Sequence, residues 1–357
     1  MKQTPVISFP HMGDYHIPIG TFFRRVFPEA EIRSAPPSTK KTAALGARHS
    51  PDFICEPFKY NMGNFIEALD DGATTLLQTG TGCRYGYYGE LQEQILRDLG
   101  YNPNFLCLSR DRARPHSAYR ALRDQGSPQG LPQMAHALLL SIEQIRAMDQ
   151  LAAYIRENLA FAENPADMRE IYDSFLNALP KADTLAKLKT LRQDTRRQLY
   201  SVPLDMPSKP LRVGIVGDLY TVMEPFSNCD IERKLATWGI LVSRKMSLTF
   251  LLTPHITRRT LRACDGYLHH HIGANGTDSV AQSLQYAKAG YDGILHLKSF
   301  GCTPELNAIP AMQNIGRDYG IPILHLSFDT HQGEAGVNTR LEAFIDMIER
   351  KRRRGAR

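Results

Sequence analysis

Residues 74–100, TTLLQTGTGCRYGYYGELQEQILRDLG, decide the fold. TTLLQTG is a short apolar run closed by glycine and reads as a buried strand. YGELQEQILRDLG has the apolar spacing of a helix and stops at Gly100. Between them lies a glycine-rich turn with Cys83 in its middle. A strand that passes through such a turn into a helix is the unit from which parallel sheets are built.

The same alternation continues on both sides. PVISFP (5–10), AEIRSAPP (30–37), DFICEP (52–57) and NFLCLS (104–109) read as strands. GTFFRRVFP (20–28), TKKTAALGARHS (39–50) and KYNMGNFIEALDDG (59–72) read as helices, the last with Met62, Phe65, Ile66 and Leu69 on one face. Residues 132–162 and 165–199 read as helices with almost no strand signal. Alternation resumes with LRVGIVGDLY (211–220) as a strand, TVMEPFSN (221–228) as a loop and DIERKLATWG (230–239) as a helix. DGILHLKSFG (292–301), PELNAIPAMQNIGRDYG (304–320) and IPILHLSF (321–328) then read as strand, helix and strand. NTRLEAFIDMIERKRRR (338–354) is the last helix, with Asn338 as its N-cap. The expected class is α/β: two Rossmann-like parallel-sheet domains, 1–125 and 206–357, joined by a helical connecting segment, 126–205.

Composition fits that picture. The chain has 357 residues, long for a single core, and its 22% charged content is ordinary for a soluble protein. The formal charge is +6, of which Lys351, Arg352, Arg353, Arg354 and Arg357 supply five units. The basic character therefore belongs to the tail, where it suits a helix C-terminus. No basic stripe interleaves with aromatic residues, so no nucleic-acid partner is expected. No stretch reaches the roughly 18 apolar residues of a membrane span, and MKQTPVISFPHMGDY lacks the apolar core of a signal peptide. A cytoplasmic protein is expected. Six cysteines are too sparse for a disulfide scaffold, and there is no C-x-x-C.

Three cysteines share one context. Cys55 ends the strand DFICEP, Cys83 follows TTLLQTG, and Cys302 follows GILHLKSFG. Each stands where a strand gives way to a helix, the carboxyl edge at which open α/β sheets bind ligands. A helix N-terminus also favours a thiolate. Gly80, Gly82 and Gly86 let the backbone pass close to a bulky neighbour. Three such thiolates, two from one domain and one from the other, are expected to meet in the cleft between them. They suit zinc or an iron–sulfur cluster. Cys107 and Cys264 read as small buried hydrophobes. Cys229, in the loop after a strand, is a candidate fourth ligand.

Other patterns carry less. G-x-G-x-x-x-G at residues 80–86 lacks the acidic partner about 20 residues on that a dinucleotide site needs. His269, His270 and His271 are consecutive and do not share a helix face. Asp329, His331 and Glu334 read as a hydrogen-bonded turn or as a group that polarises something at the cleft edge, and Glu224 is a further polar candidate.

Four motifs, in order, resemble a known family: ICEPFKYNMGNFIEALDDGATTLLQTGTGCRYGYYGELQEQILRDLGY (54–101), GDLYTVMEPFSNCDIERKL (217–235), LKSFGCTPELNA (297–308) and IPILHLSFDTHQGEAGVNTRLEAFIDMIER (321–350). They are similar to the 2-hydroxyacyl-CoA dehydratase and benzoyl-CoA reductase components, in the branch associated with dehydratase activases and double-cubane cluster proteins. The resemblance covers most of residues 5–125 and 205–350. It implies two Rossmann-like domains with a cluster held by Cys55, Cys83 and Cys302. A double-cubane cluster needs about twice the ligands, and only Cys229, Cys107 and Cys264 remain, so a single [4Fe–4S] cluster is expected in its place. The resemblance further implies an ATP-hydrolysing activator protein as electron donor, and low-potential electron transfer or reductive chemistry on an acyl-CoA or another small-molecule substrate. The chain has no G-x-x-x-x-G-K-[ST] loop of its own. The alternative implied role is a non-catalytic cluster carrier or accessory subunit, as a homo- or hetero-dimer.

Overall fold

The computed structural model describes residues 4–80, 83–108, 115–253, 257–330 and 333–355. The chain forms two compact units: residues 1–145 with 176–191, and residues 146–175 with 192–357. The helices between 126 and 205 are thus shared out between the units.

The first unit is built on β1 (Val6–Phe9), β2 (Glu31–Ser34), β3 (Thr75–Thr79) and β4 (Asn104–Leu108). The strands are all parallel, in the order β2-β1-β3-β4. Its helices are α1 (His16–Val26), α2 (Lys40–Arg48), α3 (Glu56–Asp70), α4 (Tyr88–Asp98) and α5 (Pro115–Asp124), with α6 (Leu131–Asn158) starting here. Consecutive residues of β3 show why both faces are covered. Leu77 packs with Phe9, Phe23, Val26 and Leu106, whereas Leu76 packs with Phe58, Met62, Phe65 and Leu96. A strand covered on both faces carries consecutive apolar residues rather than alternating ones, as Leu76 and Leu77 do.

Next come α7 (Pro165–Ala178) and α8 (Leu185–Ser201). A 3-10 turn at Leu179–Lys181 separates the two helices. Pro180, which lacks an N–H and clashes with the preceding turn, accounts for the break.

The second unit repeats the plan. It comprises α9 (Leu219–Met223), α10 (Ile231–Thr237), α11 (Leu248–Leu252), α12 (Thr257–Ala263), α13 (Gly276–Lys288), α14 (Thr303–Asp318) and α15 (Glu334–Gly355) around four strands. These are β5 (Leu211–Gly217), β6 (Ile240–Arg244), β7 (Gly293–Ser299) and β8 (Ile323–Phe328), parallel in the order β6-β5-β7-β8. One face buries Ile294 against Val280, Leu284, Met312 and Ile315. In both sheets the strand order reverses beside the first strand, between β1 and β3 and between β5 and β7. That reversal opens the crevice in which doubly wound sheets bind ligands. Among the described residues, no helix is long and apolar enough to cross a membrane.

Two sequence expectations change. Residues 52–57 are not a strand: Ile54 N–H donates to the Pro51 carbonyl at 3.2 Å, Phe53 is 82% exposed, and α3 begins at Glu56. Asn338 does not cap α15, which starts four residues earlier at Glu334; its amide oxygen accepts from Lys234 Nζ at 2.8 Å instead.

Within the second unit a half-buried ion triad holds the C-terminal end of α6. Glu232 of α10 accepts from Arg156 Nε of α6 at 2.8 Å and from Arg244 at the end of β6. Burial pushes the Glu232 carboxyl up, but Arg156 and Arg244 together outweigh it and hold the group down at about 2, against an ordinary 4.5. A depressed carboxylate stabilises the fold above its unfolded value and loses that contribution as pH falls. The shift corresponds to at most about 3 kcal/mol, lost between roughly pH 5 and pH 2. Urea unfolding followed across that range is expected to show this loss in the native protein and a flatter acid limb in Glu232→Gln. Parallel acid limbs would contradict it.

Candidate functional site

In the first unit the backbone brings two of the three selected cysteines under one pair of tyrosines. Cys55 is the N-cap residue of α3, half-buried, with its side chain not used for capping. Cys83 caps a 3-10 turn at Arg84–Tyr87 and is exposed. Its sulfur accepts from the Tyr85 N–H at 3.4 Å. The Tyr85 ring lies 5.0 Å from the ring of Tyr88, whose hydroxyl contacts the Cys55 sulfur. Phe58 meets Tyr88 edge-on at 4.9 Å, and Asn61 donates to the Tyr85 hydroxyl at 3.0 Å. Burial, reinforced by Cys55, pushes the Tyr88 phenol far above its ordinary range, so it stays a hydrogen-bond donor.

The glycine that opens this turn has a direct use. A Cβ at Gly80 would stand 2.1 Å from the Tyr85 carbonyl oxygen. The bulky neighbour expected from the sequence is thus the turn itself, folded back over the end of β3. Gly82 lies outside the described residues. At the same edge, β1 runs out into His11, whose N–H donates to Asn64 Oδ1 at 3.1 Å and whose ring stacks on His16 at 4.9 Å. Sequence reasoning missed His11, Tyr85 and Tyr88. Tyrosines crowded into a glycine-rich turn, RYGYYG, were the available signal.

In the second unit Cys302 takes the place that Cys83 takes in the first. It follows the third strand of its unit and caps the next helix, α14, half-buried and with no side-chain cap bond. Asp218, at the end of β5, joins the two loops of this crevice by accepting from Ser299 N–H at 2.5 Å and Thr221 N–H at 3.0 Å. Burial pushes its carboxyl up, and Glu305 adds to that.

Both helices capped by cysteine carry a buried carboxylate in the first turn, with a buried lysine near it. On α3, Glu56 pairs with Lys59 at 3.3 Å. At α14, Glu305 is fully buried, and Lys298 of β7 is buried too. Burial pushes Lys298 down from the ordinary ammonium range, while Cys302, Asp218 and Glu305 pull it back up. A lysine in the middle of a buried strand is costly unless charges balance it, which these three groups do.

The remaining candidates separate clearly. Cys107 is buried on β4, and a Cβ at Gly89 would lie 2.3 Å from its sulfur, so it is a packing residue. Cys264 is fully buried just after α12, and burial, with Asp278, pushes its thiol up to about 11. Cys229 is half-buried in the loop between α9 and α10, with φ at 58°. Burial raises its thiol against the pull of Lys234. His269, His270 and His271 are exposed in the loop before α13. Glu334 pairs with Lys234 at 2.6 Å, and Asp329 is half-buried; His331 lies outside the described residues. Glu224 is buried directly after α9, its carbonyl accepting from Ser227 N–H at 3.1 Å.

Among the described residues no group of three or more His, Cys, Asp or Glu side chains is placed to hold a metal ion. The first unit supplies two of the three selected thiols and the second unit one, so neither alone offers three. The donors nevertheless suit an iron–sulfur cluster in kind. None of the three is in a disulfide, and Cys55 and Cys302 do not use their side chains for capping.

No curated protein compared with the chain matches it. Residues 245–348, which run from the end of β6 into α15 and include Cys302, match the family model for the 2-hydroxyglutaryl-CoA dehydratase D-component. The matched stretch lies wholly within the second unit and takes in β7, α14 and β8.

Proposed function

We propose that the protein is the iron–sulfur component of a dehydratase-type system in the cytoplasm. In this reading Cys55, Cys83 and Cys302 ligate one [4Fe–4S] cluster that an ATP-hydrolysing activator reduces. The observation that carries it is positional. Cys83 and Cys302 occupy equivalent places in two sheets of the same topology, and Cys302 lies within the family match together with β7 and β8, two of the four strands of its sheet. Such a cluster supplies low-potential electrons and, with three cysteine ligands, an iron open to a further ligand. The substrate class is an acyl-CoA or a similar small molecule.

The chain's own residues contribute three things. The helix N-termini at Cys55 and Cys302 favour thiolates. The Tyr88 hydroxyl and the Tyr85 N–H donate toward the sulfurs of Cys55 and Cys83. Exposed aromatic rings stand close in sequence to every ligand: Phe53 at 82%, Tyr87 at 77% and Phe300 at 58% exposure. Aromatic residues are enriched at protein interfaces, which supports a partner protein covering the cysteine turns.

A redox titration of the iron-loaded protein, followed by electron paramagnetic resonance, tests the electron-transfer part. The expected midpoint lies at or below the ferredoxin range, about −400 mV. A midpoint above about −200 mV would remove the need for ATP-driven reduction and contradict the proposal.

A further inference from the structure

A chain of hydrogen bonds runs beneath α14 that neither the cysteines nor the family match requires. His296 is the fourth residue of β7 and is fully buried. Its Nε2 lies 2.9 Å from Glu305 Oε2, and its Nδ1 lies 2.8 Å from His325 Nδ1 on the neighbouring strand β8. The two histidines are register partners, their rings edge-to-face at 5.0 Å. Glu305 is fully buried, and its other oxygen, Oε1, has no hydrogen-bond partner among the described residues. His325 is half-buried and lines a surface hollow of about 470 Å³ with Gln313, Gly316, Arg317 and Ile323. One end of the chain therefore meets solvent, and the other ends on a carboxylate oxygen inside the protein.

With Glu305 ionised and both imidazoles neutral, the hydrogen bonds admit one arrangement of protons. An ionised Glu305 only accepts, so His296 must donate from Nε2. A neutral His296 then has its lone pair at Nδ1, which obliges His325 to donate from its own Nδ1. The remaining lone pair, at Nε2 of His325, is left to take up a proton. A proton taken up at His325 Nε2 releases the Nδ1 proton to His296 Nδ1, and His296 in turn passes its Nε2 proton to Glu305. Each donor gains one proton and loses one, and no bond to carbon or sulfur changes. The charged groups facing the chain are Lys298 on β7, Asp218 at the end of β5 and Arg317 on α14. Burial pushes His325 down to about 4, and the ammonium of Lys298 adds to that, which keeps it a neutral acceptor near pH 7.

We propose that His325, His296 and Glu305 form a proton relay between solvent at the α14–β8 hollow and the first turn of α14, the turn capped by Cys302. Elimination of water from a hydroxyacyl group requires protons to be moved, so a relay ending at this turn deepens the proposed function. The hydrogen-bond chain itself does not depend on a bound cluster.

Ring-nitrogen NMR on the full, metal-free chain labelled with ¹⁵N tests it. The expected neutral tautomers are Nε2–H at His296 and Nδ1–H at His325. The His296 Nε2–H should exchange with solvent readily although it is buried. In His325→Gln that exchange is expected to slow by about ten-fold or more, because it must then wait for local opening. Glu305→Gln, which removes the carboxylate that accepts the relayed proton, should slow it as well and serves if His325→Gln folds poorly. A purely structural network would loosen in these variants and exchange faster. Unchanged or faster exchange, or a His296 protonated only at Nδ1, would overturn the relay. Failure of the cluster proposal would leave these spectra unaffected.

Discussion

Cys83→Ala is expected to lose its iron almost completely, falling from about four atoms per chain to below one. The reason lies in the ligand count. A cluster held by three protein thiolates has no spare protein donor when one is removed. Cys55→Ala and Cys302→Ala should behave alike. Cys83 is exposed at the cap of a short turn, so its loss costs little packing and circular dichroism should be unchanged. Cys229→Ala is the contrasting variant. Burial raises that thiol, which opposes the thiolate a metal needs, so it should retain full iron. Iron and acid-labile sulfide assays of the four variants decide the ligand set. Full iron in Cys83→Ala would remove it from that set.

The largest stability effect is expected from Gly217→Ala. Gly217 ends β5 with φ at +147°, a region that side chains rarely enter. A Cβ there would lie 1.7 Å from the carbonyl oxygen of Leu297 on β7. That oxygen belongs to the central strand and already accepts from the Asp218 N–H at 3.2 Å, so it has little room to retreat. Backbone strain and a clash with the ladder act together. The expected cost is about 4 kcal/mol or more, enough to unfold a marginal domain. Urea unfolding should show the loss directly. A cost below about 1 kcal/mol would show that the crevice between β5 and β7 is more plastic than its close contacts imply.

The parallel sheets were legible because strand and helix periodicities alternate strongly, as in TTLLQTG before YGELQEQILRDLG. Cys83 and Cys302 were legible as strand-to-helix residues for the same reason. Cys55 was selected on a mistaken strand: Phe53 and Ile54 look like β-formers, but the segment lies between two prolines and turns at Pro51. Its place at a helix N-terminus nevertheless holds. The strand Ile240–Arg244 and the helix Gly276–Lys288 escaped notice, the first being only five residues long and the second rich in small polar residues. The relay was invisible for a different reason. Period-two alternation puts His296 and Lys298 on one face of β7, but no local pattern shows that His325 and Glu305 face them from other elements. Tertiary pairs of buried polar groups are set by sheet register and helix docking, which single-sequence periodicity does not encode.

The most direct test is anaerobic purification of the full chain followed by iron and acid-labile sulfide counts. A single cluster predicts about four of each per chain. A well-folded anaerobic preparation that contains neither would contradict the central claim. About eight of each would contradict the single-cluster assignment and require further ligands, with Cys229 first among them.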